Sequence, residues 1–180
     1  MVNYAINTDL TGADIKKLRK LLGMTQKEFA VLVNSSKRAV ENWESDDRPI
    51  KGAISVLAGL LFQKPELVKA LTVPENKLKL RLWYMYENII CTVIDVDEIN
   101  RIVEIRNYTD NTLFRAFGRN TSPDYSDYEE FLESRCFPKS RDMIKTEYER
   151  LGVPFYDPIL IIEKTEGRMS EDHFWIRVER

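Results

Sequence analysis

Between residues 11 and 72 apolar side chains return every three or four positions, the period of a helix with one buried face. In GADIKKLRKLLG, Ile15, Leu18, Leu21 and Leu22 share a face, Lys16, Lys17, Arg19 and Lys20 fill the other, and Gly23 ends the helix. Thr25 is placed to cap a second helix, with Glu28 three residues on completing a capping box. Ser36 caps a third that runs to about Glu44, and the polar turn SDDRP closes it. A fourth helix is predicted from about Gly52 to Gln63, and Pro65 opens a short fifth, PELVKAL.

Past residue 72 the pattern changes. TVPENK reads as a linker over residues 73–79, with Pro74 discouraging helix. LKLRLWYMYENIICTVIDVDEINRIVEIRNY is dense in aromatic and β-branched residues, and breaks at Glu87-Asn88 and Asp97–Asn100 divide it into three strands of an antiparallel meander. Two helices are expected in YSDYEEFLESR and SRDMIKTEYERLG. The remainder holds the apolar DPILIIEK, a turn at Gly167 and an aromatic-rich segment suited to a strand. The predicted architecture is therefore two-domain α+β: a five-helix domain over residues 1–72, and an α+β domain over 80–180 with a three-stranded meander and two or more helices.

Composition adds an asymmetry. The 180 residues carry a net charge of −2, but residues 1–72 hold eleven Lys/Arg against eight Asp/Glu, and residues 73–180 sixteen against twenty-one. A mildly basic front and an acidic back imply different partners. MVNYAINTDL lacks the basic start and apolar core of a signal peptide, and no apolar run approaches the ~20 residues of a membrane span. Cys91 and Cys136 lack metal or disulfide spacing and are expected as reduced, partly buried thiols. A cytoplasmic protein without membrane partners is expected.

The candidate chemistry lies in TQKEFAVLVNSSKRAVENWE. Ala30 is the small residue needed where two helices touch. Asn34, four positions later, tolerates the left-handed conformation of a tight turn. Val40 and Trp43 sit three apart as inner anchors of the second helix, with Phe29, Leu32 and Val33 completing the wedge. That register leaves Lys37, Arg38, Glu41 and Asn42 on or beside an outward face, as expected of groups that read base edges: Asn pairs with adenine, Arg or Lys with guanine, and Glu41 accepts from cytosine or orients Arg38. Gln26, Lys27, Ser36, Arg48 and Lys51 are expected at phosphates.

LRKLLGMTQKEFAVLVNSSKRAVENWES followed by RPIKGA resembles the XRE (Cro/C1-type) helix-turn-helix family over residues 11–72. It is most similar to antitoxin-like members with R-x-P-x-G-x-A after the recognition helix, which Arg48, Pro49, Gly52 and Ala53 echo with altered spacing. The resemblance implies a five-helix domain that binds inverted-repeat operators as a dimer. Asn34 in place of Gly, and the acidic Asp46-Asp47, depart from the pattern. Further on, Arg135, Pro138, Ser140, Arg141 and Ile144, then Gly167, Ser170, Asp172, Trp175 and Ile176, resemble a segment that precedes the kinase domain in HipA-like proteins of Firmicutes. The chain itself carries no Gly-rich loop or catalytic Asp run.

Enzymatic readings are weak. His173 is the only histidine and reads as a turn or strand-edge residue. Asp95 with Glu104 and Arg106 imitates a nuclease metal site without its Lys, and reads instead as solvated strand edges. Trp83, Tyr84 and Tyr86 read as core. No catalytic residue, metal or cofactor is expected. Asp124, Asp127, Glu129, Glu130 and Glu133 on one helix form an acidic face suited to a basic partner. The expected function is a dimeric, sequence-specific autorepressor of antitoxin type acting on double-stranded DNA, whose second domain binds a protein such as a toxin. The alternative is a phage-type anti-CRISPR inhibitor of a Cas9-like nuclease, since such inhibitors also couple a helix-turn-helix to a second domain.

Overall fold

Three hydroxyl residues open the first three helices of the computed structural model, which describes residues 4–180. Thr11 precedes α1 (Gly12–Leu21), its N–H and hydroxyl both donating to the Asp14 carboxylate at 2.9 Å. Thr25 precedes α2 (Gln26–Leu32): its Oγ1 accepts from Glu28 N at 3.2 Å while its own N–H donates to Glu28 Oε2 at 2.7 Å, the reciprocal capping box. Ser36 precedes α3 (Lys37–Ser45), its Oγ accepting from Ala39 N at 3.1 Å. α4 (Ala53–Gln63) and α5 (Glu66–Leu71) follow. These helices belong to one compact unit ending at Thr72; Val73–Arg180 form another.

Ile15, Leu18, Phe29 and Val40 are fully buried at the centre of the helical unit, with Ala58, Leu61 and Val68 closing it from α4 and α5. Two side chains of α1 exchange the positions expected of them. Leu21 is 59% exposed, whereas Arg19 turns inward, its side chain 13% exposed. At about 100° per residue the Ile15–Leu18–Leu22 stripe leaves Leu21 to one side and Arg19 to the other. Arg19 finds a carboxylate there, and Leu21 is left mostly to solvent.

In the second unit β1 (Leu80–Tyr86), β2 (Ile89–Asp97) and β3 (Ile102–Asn107) form the expected meander, but the sheet has four strands in the order β3-β2-β1-β4. β4 (Phe174–Glu179) pairs antiparallel with β1, so β1 is bonded along both edges and is internal. Residues 73–79 contain no helix or strand, and the Pro74 carbonyl accepts from Arg81 at 2.9 Å. A 3-10 turn at Thr112–Phe114 leads to α6 (Tyr125–Ser134), α7 (Ile144–Leu151) and α8 (Pro158–Thr165). The apolar DPILIIEK is thus a helix, with Asp157 accepting from Leu160 N and Pro158 in its first turn. α7 starts later than predicted: Met143 is left-handed (φ 57°) and helix begins only after it.

One sheet face and α6 and α8 enclose the second core: Leu82, Ile94, Ile161, Ile162 and Ile176 are buried, and the Tyr84 ring meets Phe131 edge-on and stacks on Phe174. Tyr86 packs against this core as expected. Trp83 does not, because the period of two turns it to the opposite face. There it is half-buried, its indole N–H donating to Glu179 and the Arg177 guanidinium lying 4.5 Å from its ring. Asp95 is likewise no solvated edge: it sits on internal β2, paired with buried Arg81 through bonds of 2.6 and 2.7 Å. Cys91 and Cys136 are both buried free thiols, more enclosed than expected, and desolvation pushes Cys136 up to about 12.

Of the residues quoted for the second resemblance, Arg135, Gly167 and Asp172 meet in space. Arg135, buried after α6, donates to the Gly167 carbonyl at 3.0 Å, to both Asp172 oxygens at 2.7 and 3.1 Å, and to the Phe174 carbonyl at 3.0 Å. This one side chain holds the Gly167 turn and the start of β4 against α6.

Candidate nucleic-acid interface

α2 and α3 are joined through Asn34, whose φ of 49° is left-handed. The short polar side chain of asparagine tolerates this better than other non-glycine residues. Ser35 N donates to the Ala30 carbonyl at 2.8 Å, closing the turn over the small residue. α3 is then seated from both sides. Val40 is fully buried and Trp43 packs partly buried on the same core. On its other flank the backbone of α1 comes close: a Cβ built on Gly12 stands 1.9 Å from the Trp43 carbonyl oxygen and 2.5 Å from that of Asp46. Only glycine permits this approach.

The C-terminal end of α3 is also tied electrostatically. Arg19 Nε and Nη2 donate to Glu44 Oε1 and Oε2 at 2.6 and 3.0 Å, and Nη1 donates to the Met24 carbonyl at 2.9 Å. Gln26 Nε2 adds a bond to Glu44 Oε2 at 2.9 Å. The Arg19 hydrogen bonds, against desolvation, hold the Glu44 carboxyl below its ordinary range. One network therefore fixes α1, α2 and α3 relative to one another. It was not foreseen from sequence. Its signal was the one arginine within a row of lysines, since only guanidinium engages a carboxylate through a planar fork.

The outward residues of α3 differ in their commitments. Arg38 and Asn42 are exposed, and Arg38 makes no ion pair among the described residues. Lys37 is exposed but pairs with Glu41 at 2.7 Å, so Glu41 orients Lys37 and not Arg38. Of the expected phosphate contacts, Lys27 and Lys51 are exposed, and the Ser36 hydroxyl caps α3. Gln26 is engaged by Glu44, and Arg48 by Asp46 at 2.5 Å, where the guanidinium draws the Asp46 carboxyl down to about 2. A phosphate at Arg48 has to compete with that carboxylate.

One short helix wedged beneath a second, polar and exposed one across a tight turn is the arrangement of a helix-turn-helix. Residues 15–57 match a family model described as Helix-turn-helix. The match ends within α4 and does not extend to the second unit. No curated protein and no solved structure matches the chain.

The acidic residues expected at a partner surface lie on or just before α6, with unequal roles. Asp124 caps the helix, accepting from Ser126 N and Asp127 N, and Asp127 bonds back to Asp124 N. Glu129 pairs with Arg101, and Glu133 with Lys139. Glu130 is exposed and has no ion-pair partner among the described residues. His173 is an exposed residue before β4 whose carbonyl accepts from Glu87 N and whose ring meets Tyr86 edge-on. Among the described residues no helix is long and apolar enough to cross a membrane.

Proposed function

We propose that this chain is a dimeric, sequence-specific repressor of antitoxin type that binds an inverted-repeat operator beside its own gene and holds a protein partner through its second unit. The observation that carries the reading is α3: anchored inward by Val40, Trp43 and Glu44, it leaves Arg38 and Asn42 exposed and uncommitted on its outer side. An operator is read by swinging these two groups to base edges and by exchanging the Lys37–Glu41 and Arg48–Asp46 pairs for phosphate contacts. The second unit, net negative, repels nucleic acid and suits a basic protein. The reading assigns the chain binding roles and no catalytic step.

The test is a mobility-shift titration of the full chain on DNA from upstream of its gene at two salt concentrations, with sedimentation to count protomers. Arg38→Ala and Asn42→Ala are each expected to weaken specific binding by roughly tenfold or more, the loss of a bidentate base contact being about 1–3 kcal/mol. Binding of either variant with wild-type affinity and sequence preference overturns the reading.

A further inference from the structure

The two outer strands of the sheet, β3 and β4, are finished differently. β4 is closed by its own chain. Ile176 N donates to the Glu166 carbonyl at 2.7 Å, Phe174 N to Asp172 Oδ1 at 2.9 Å, and the Phe174 carbonyl accepts from Arg135 at 3.0 Å. β3 has no such closure. Tyr108 N donates to the Cys91 carbonyl of β2 at 2.9 Å, and the direction of backbone bonding alternates along a strand. Ile102, Glu104 and Arg106 therefore bond towards β2, and the backbone groups of Val103, Ile105 and Asn107 point away from the sheet. Among the described residues these three make no backbone hydrogen bond on that side.

Folded proteins blunt such an edge with proline, lysine or a bulge. IVEIRN contains neither residue, its pairing with β2 runs without a register shift, and none of its residues is buried, although Val103 and Ile105 face the core. What the strand carries instead is complementarity to its own reverse. An antiparallel copy centred on Ile105 sets Ile105 against its counterpart, Val103 against Asn107, Glu104 against Arg106 and Ile102 against Tyr108. Each outward N–H then meets an outward C=O. Two Glu–Arg pairs form across the axis on the face opposite the core, and Ile102, 44% exposed, gains the cover of an aromatic ring. The Arg106 guanidinium, 5.5 Å from the Tyr108 ring centroid, already lies on that face. The neighbouring registers that also match outward groups set Glu104 against Glu104 or Arg106 against Arg106, and like charges directly opposite are unfavourable. Charge therefore selects one register, and it selects a strand of this sequence.

We propose that β3 pairs antiparallel with β3 of a second copy of this chain, centred on Ile105, joining two four-stranded sheets into one. The assignment rests on the dimeric reading above and names the surface that makes the dimer.

The experiment is sedimentation equilibrium of the full chain, without DNA, over a range of concentrations. The wild-type chain is expected to dimerise. Glu104→Arg and Arg106→Glu each put like charges opposite one another twice, and each is expected to weaken the dimer about tenfold. The double exchange restores it. Mixed in equal amounts, the two single variants associate with each other more tightly than either does with itself, since Arg then faces Glu at both positions; a folding defect does not produce that preference. Glu171→Arg, at an exposed carboxylate outside β3, makes the same change of net charge as Glu104→Arg and is expected to leave the dimer unchanged. A wild-type dimer indifferent to both single variants, or single variants that show no preference for each other when mixed, overturns the β3 pairing and leaves the dimeric reading standing on another surface. Weakening by Glu171→Arg as large as by Glu104→Arg does the same, because it marks net charge as the cause. A wild-type chain that stays monomeric overturns both.

Discussion

Glu44 links the stability of the reader to its geometry, and its chemistry gives a signed pH dependence. Its folded carboxyl is held below the ordinary value of 4.5 mainly by the Arg19 hydrogen bonds. The stabilisation is therefore fully present above about pH 4.5 and is lost as the pH falls through the folded value. Glu44→Gln is expected to lower stability at neutral pH by about 1–3 kcal/mol, and the gap to wild type to narrow on acidification below about pH 4.5. Denaturant unfolding of both proteins at a series of pH values checks this. The outer face of α3 makes a second residue-scale prediction. Glu41→Gln frees Lys37 and removes a charge that repels phosphate, so affinity for random-sequence DNA rises about threefold at low salt, with a steeper salt dependence. Unchanged nonspecific binding shows that the pair plays no part at the DNA face.

At the scale of elements, the seating of α3 depends on the absence of a side chain. Gly12→Ala places a methyl against the Trp43 and Asp46 carbonyls, backbone atoms that cannot rotate aside. The helices have to separate, and we expect a loss of about 3 kcal/mol or more together with loss of specific DNA binding. Thermal melts and the mobility-shift assay report the two effects. Asn34→Gly, by contrast, relaxes a left-handed residue and is expected to leave DNA binding intact.

What was legible in the sequence follows the same scale. The caps at Thr25 and Ser36 and the turn at Asn34 are local devices, each written within four residues, and they are found where the sequence puts them. The inward turn of Arg19 was not legible, because its reason is a carboxylate twenty-five positions away. For Trp83 the neighbours looked like core, but the strand's alternation decides the face, and only the pairing with β4 shows what lies there. The terminal aromatic segment carried strand character without saying which edge it joins.

Across the whole molecule, two units with separate cores predict separable stabilities. Arg135→Ala removes the bonds that tie Gly167, Asp172 and Phe174 to the end of α6. It is expected to destabilise the second unit by about 3 kcal/mol, visible in calorimetry as a lowered transition assigned to residues 73–180, while DNA binding by the first unit persists. A single transition that shifts together with DNA affinity contradicts that independence.

The sheet order has a consequence in time. β1 is the first strand synthesised in the second unit, and the partner for one of its edges, β4, is the last, nearly ninety residues later. Every residue of the helical core precedes Thr72 and can consolidate while the ribosome is still translating the remainder. During each round of translation the helical unit can therefore fold before the sheet closes, and an unpaired strand edge is exposed in the interval. On the proposed reading, a partner recruited at that stage would double as protection for the half-made sheet, tying the yield of finished protein to the supply of what it binds.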